Sequence, residues 1–68
     1  MIESEKELEA TLERIQYFQR QVAKIREVEK DPESYRLSSS GYLAEIDRMN
    51  LDVREYLSIF PGEMKKSA

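Results

Sequence analysis

Two apolar stripes with helical spacing constrain what this chain can fold into. The first recurs at steps of three and four: Leu8, Leu12, Ile15, Phe18, Val22 and Ile25. The second has the same spacing and a few flanking members: Tyr42, Leu43, Ile46, Met49, Val53, Tyr56, Leu57 and Phe60. An amphipathic helix has this period, whereas a half-buried strand alternates at every second residue. The sequence therefore predicts an all-α protein with two helices that bury these side chains.

Local signals place the ends of the first helix. Ser4 and Glu7 have the spacing of a capping box, in which each side chain accepts a hydrogen bond from the other residue's amide. Pro32 disfavours helical geometry at Asp31, so the helix should end near Lys30. We therefore expect the first helix over about residues 4–30.

The second helix is expected over about residues 39–60. Any of the serines at 38–40 could cap its start, and Pro61 follows its end. Residues 31–38 would then form a loop, with Tyr35 and Leu37 lying back over the end of the hairpin. The sequence thus predicts one antiparallel helical hairpin over 1–68, with 61–68 as a flexible tail.

The apolar stripes are wide enough to contact more than one neighbour. At 100° per residue each stripe spans an arc of about 140°, whereas a seam between two helices needs a narrower one. We therefore expect a homodimer in which two hairpins form a four-helix bundle, with the stripe residues as its core and interface. Asn50 falls inside the second arc; it is either a buried amide that fixes register or a solvated residue at the arc's edge.

Charge is segregated along the first helix. Residues 1–13 hold five glutamates against Lys6, and residues 14–30 hold five basic residues against two glutamates. This order complements the helix dipole, which is the simplest explanation of it. In a dimer it also favours first helices that lie antiparallel, because acidic segments then face basic ones.

The composition argues against several functional classes. The chain has no Cys and no His, which removes a thiol nucleophile, the commonest general base and the commonest metal ligand. We expect no enzyme activity, catalytic residue, metal or cofactor. The sequence pI near 5.0 argues against nucleic-acid binding, which usually requires a basic surface. No apolar run could span a membrane, so we expect a cytoplasmic interaction module, with a further protein partner as an open possibility.

A known family shares this pattern over Leu8–Phe60. The segments that carry the likeness are Leu12-Glu13-Arg14-Ile15, Tyr42-Leu43-Ala44-Glu45-Ile46-Asp47 and Val53-Arg54-Glu55-Tyr56-Leu57. They resemble the N-terminal helical hairpin of HigA-type antitoxins, which precedes a helix-turn-helix DNA-binding domain. That domain has no counterpart in residues 1–68, so no DNA-binding role is carried over to any residue. The resemblance implies an oligomerising hairpin, and as an alternative function a small regulatory protein that binds and masks a partner.

Overall fold

The computed structural model describes residues 1–60, and these form a hairpin of two α-helices. Helix α1 covers Glu5–Val28 and helix α2 covers Pro32–Leu57. Only residues 29–31 separate them, so α2 turns back and packs antiparallel against α1. The described range contains no strand. The prediction of an all-α helical hairpin is therefore confirmed.

Helix α1 begins at the predicted cap with one change of partner. The backbone N–H of Glu7 donates to the Ser4 hydroxyl at 3.2 Å, as expected. The Glu7 carboxylate accepts in return from the backbone N–H of Glu3 at 3.2 Å, one residue earlier than a standard capping box. At the other end, Glu29 is the C-cap and its N–H donates to the Ile25 carbonyl at 2.8 Å. The helix thus ends two residues before the predicted Lys30.

The predicted start of the second helix is wrong, because Pro32 begins α2 as well as following the end of α1. Asp31 is the N-cap; its carboxylate accepts from the backbone N–H of Ser34 at 3.1 Å and from the Ser34 hydroxyl at 3.0 Å. Proline suits the first helical turn, where its fixed φ is helical and its missing N–H would have no partner anyway. Residues 32–38 are therefore helix and not loop.

Because α2 starts earlier than predicted, several residues lie in a different environment from the one expected. Tyr35 is half-buried within α2, and Leu37 is 76 % exposed and does not fold over the hairpin end. Ser39 is not a cap; at 1 % exposure it is the most buried side chain in the described residues. Helix α2 also ends at Leu57, three residues before the predicted Phe60. The predicted tail over 61–68 lies outside the described residues.

The core lies along the seam between the helices. Ile15 of α1 packs with Ile46 and Met49 of α2. The rings of Phe18 and Tyr42 meet edge to face, with centroids 5.5 Å apart, which places residue 18 of α1 level with residue 42 of α2. Complete burial of such an apolar side chain contributes about 1.5–3 kcal/mol.

We expect Asp31→Ala to lower the free energy of unfolding by about 0.5–2 kcal/mol, the usual range for loss of an N-cap. The carboxylate that receives both Ser34 donors is removed by this change. Ser38→Ala is the control, since Ser38 is exposed inside α2 and should have little effect. Urea unfolding followed by circular dichroism measures both; a larger loss in Ser38→Ala would contradict the assigned cap.

Candidate interaction surface

The side chains predicted to form the core and interface fall into three groups in the single chain. The buried ones are Leu8, Ile15, Ile46 and Met49. The half-buried ones are Phe18, Val22, Ile25, Tyr42, Val53 and Tyr56. The exposed ones are Leu12, Leu43, Leu57 and Phe60. Six members of the first two groups pack together across the seam of the hairpin: Ile15, Phe18, Val22, Ile46, Met49 and Val53.

The N-terminal segment covers one flank of the hairpin. Ile2 is only 7 % exposed although it precedes α1. It lines a groove together with Thr11 of α1 and with Met49 and Asp52 of α2. The hydrogen bond from Glu3 to Glu7 holds the segment against the start of the helix. This flank of the seam therefore has a cover from the chain itself.

Sequence reasoning missed both Ile2 and Ser39 as buried positions. The hydrophobic-staple rule looks for an apolar residue immediately before the N-cap, but that position holds Glu3 and the apolar residue lies one step earlier. Ser39 has the small polar side chain that is typical of a helix cap. Because α2 begins at Pro32, Ser39 instead lies inside the helix, on its buried face. The signal for Ser39 was its place seven residues before Ile46, on the same helical face.

Within residues 1–60, no segment covers the opposite flank. At 100° per residue, Leu12 lies about 60° from Ile15, and Leu43 lies about 60° from Ile46 in the same sense. Because the helices are antiparallel, both rotations lead to the flank opposite the groove that Ile2 lines. Leu57 lies nearer the seam on this same side. Exposure is 44 % for Leu12, 43 % for Leu43 and 64 % for Leu57; we call these three residues the leucine flank.

Asn50 also lies on the leucine flank. It is about 40° from Ile46 in the direction of Leu43 and is exposed in the single chain. The hairpin alone therefore does not bury its amide. Any partner on this flank would contact it, so its role in setting register depends on that partner.

Surface charge provides little local stabilisation. Arg48 and Glu45 form an ion pair in which Nη2 of Arg48 donates to both carboxylate oxygens, at 2.7 and 2.9 Å. Both side chains are largely solvated, so the pair is worth about 0.3–0.5 kcal/mol. It is the one salt bridge within residues 1–60.

Tyr56 has a perturbed phenol near the start of α1. Partial removal of the phenol from water raises its pKa above the ordinary 10.0, and the negative charges of Glu5 and Glu7 raise it further. The folded state therefore favours the neutral phenol, and this contribution to stability is present below pH 10. It is lost as the pH rises through the folded-state pKa.

We expect stability to fall above about pH 10 more steeply in the parent protein than in Tyr56→Phe, because phenylalanine has no phenol to ionise. Urea unfolding of both proteins over roughly pH 9–11.5 measures the difference. All other side chains are the same in the two proteins, so their contributions cancel in the comparison. Parallel pH profiles for the two proteins would contradict this assignment.

Three further features were sought: a metal-binding cluster, a membrane-spanning helix and a similar known protein. In the described part of the chain, no group of three His, Cys, Asp or Glu side chains is placed to hold a metal ion. Neither helix of residues 1–60 is both long and apolar enough to cross a membrane. Comparison of the chain with protein families, with curated proteins and with solved structures gave no match.

Proposed function

We propose that this protein is a non-enzymatic helical module that homodimerises through the leucine flank into a four-helix bundle. The observation that carries the proposal is the contrast between the two flanks of the seam. The N-terminal segment covers one flank with Ile2, while no part of residues 1–60 covers Leu12, Leu43 and Leu57 on the other. A second hairpin placed on that flank would turn a two-helix seam into a closed core.

The size of the core supports the same proposal. Five apolar side chains are nearly buried in the single chain: Ile2, Leu8, Ile15, Ile46 and Met49. Such a core is small, and a domain of this size is close to the lower limit for folding alone. Small domains often supplement such a core by oligomerisation, and this chain has no cysteine for a disulfide.

Thermal unfolding at several protein concentrations tests the proposal. A protein that folds only as a dimer becomes more stable with concentration, because mass action favours the associated state. We expect the Tm followed by circular dichroism to rise by several degrees between about 5 and 500 μM. A Tm that stays constant over this hundredfold range would contradict dimerisation linked to folding.

A second candidate function, that of a regulatory protein that binds and masks a partner, is favoured by a separate ridge. Leu37, Ala44 and Leu51 recur every seven residues on the outer face of α2, and all three are exposed. A helix of another protein could pack along such a line. A fully helical protein that sediments as a monomer would favour this function over homodimerisation.

A further inference from the structure

An exposed stripe on α1 begins with acidic residues beside the leucine flank. Steps of four and three from Glu5 lead to Glu9, Leu12 and Gln16, and all four side chains are exposed. Such steps keep residues on one face of a helix. Leu12 belongs both to this stripe and to the leucine flank. The N-terminal half of the stripe therefore carries two acidic side chains, then an apolar one, then an amide.

The second half of the stripe repeats this order in reverse with the opposite charge. The same steps lead on to Gln19, Ala23 and Arg26, and then to Lys30 just beyond the end of α1. These four side chains are also exposed. This half of the stripe carries an amide side chain, then an apolar one, then two basic ones. A stripe of this kind is complementary to itself when a second copy runs in the opposite direction.

We propose that a second copy of this chain packs antiparallel on this stripe, with the two-fold axis between Gln16 and Gln19. This assignment rests on the proposed dimer and names its geometry. An interface with two-fold symmetry pairs each residue with its counterpart across the axis. Gln16 then faces Gln19 of the partner subunit, and Leu12 packs against Ala23 of the partner subunit. A large side chain opposite a small one lets the two helices approach closely.

Charge selects this direction over the parallel one. In the antiparallel dimer Glu9 faces Arg26 of the partner subunit, and Glu5 faces Lys30 of the partner subunit. A parallel dimer would set Glu against Glu at one end and basic residues against basic residues at the other. Exposed pairs add little to total affinity. They nevertheless decide between two arrangements whose apolar contacts are similar, because specificity is a difference between affinities.

Helix α2 contributes an apolar contact at the same axis. Since Phe18 lies level with Tyr42, the midpoint of the α1 stripe lies beside Leu43 on the neighbouring helix. When two hairpins pack face to face about the axis, Leu43 meets Leu43 of the partner subunit. Leucine at this point is exposed in the single chain and would be covered in the dimer.

Charge reversal tests the pairing. The double variant Glu5→Lys/Glu9→Lys makes the stripe basic throughout, and Arg26→Glu/Lys30→Glu makes it acidic throughout. We expect each alone to dimerise about tenfold more weakly than the parent at low salt, which corresponds to about 1.4 kcal/mol. An equimolar mixture of the two should recover parent-like affinity as a heterodimer. Dimers of unchanged affinity for both variants would overturn the geometry, whereas a monomeric parent would overturn the dimer itself.

Disulfide trapping tests the axis independently, because the parent has no cysteine. We expect Leu43→Cys to cross-link rapidly within the dimer, since a disulfide needs Cα atoms about 4.4–6.8 Å apart. Glu5→Cys should not cross-link, because position 5 lies opposite Lys30 of the partner subunit, which places the two introduced cysteines about 38 Å apart along the helix axis. Efficient linkage through position 5 without linkage through position 43 would overturn the proposed arrangement.

Discussion

Ile46→Asp should leave the chain unfolded. Ile46 is 7 % exposed and packs with Ile15 and Met49 at the centre of the seam. Removal of its aliphatic side chain costs about 2–5 kcal/mol, and a buried carboxylate without a partner adds several more. A chain of this size has a total stability of roughly 3–10 kcal/mol. The single substitution is therefore expected to exceed it.

Far-ultraviolet circular dichroism measures this loss of helix directly. Ala44→Asp is a matched control, since Ala44 lies on the outer face of the same helix and is exposed. Its spectrum should match that of the parent. If Ile46→Asp kept its helix content, the assignment of Ile46 to the centre of the core would be wrong.

Ser39→Leu should lower the free energy of unfolding by about 1–3 kcal/mol, the usual range for overpacking a filled site. The Ser39 side chain is 1 % exposed and lies on the face of α2 that packs against α1. Its small volume allows the helices to approach at this point. The larger side chain must push them apart or leave its preferred rotamer.

Ser40→Leu is the control for this substitution. It introduces the same side chain one residue later, at an exposed position, and should change stability by less than about 0.5 kcal/mol. Urea unfolding of both variants gives the comparison. Equal effects at positions 39 and 40 would contradict the burial of Ser39 and, with it, the start of α2 at Pro32.

Periodicity was sufficient to predict the hairpin and the centre of its core. Ile15 and Ile46 lie at the middle of the predicted arcs, and they form the buried cluster together with Met49, which lies within the second arc. Burial of a helical face leaves a strong signal in the sequence, because each turn must contribute an apolar residue. The Ser4 cap was also predictable, since capping depends on neighbouring residues alone.

Other features could not be predicted because their signals support more than one structure. Pro32 both follows one helix and begins the next, and a proline in the sequence is compatible with either role. The burial of Ile2 depends on how a segment outside the helices folds back, which helical periodicity does not describe. Whether Leu12 and Leu43 are interface residues depends on a second molecule.

The mass of the protein in solution tests the central claim most directly. Light scattering coupled to size-exclusion chromatography should be run at low salt and at a concentration of tens of micromolar. We expect a folded species of twice the chain mass of 8.0 kDa, reduced to a single chain mass at high dilution. A folded, fully helical protein that remains at 8.0 kDa under these conditions would contradict it.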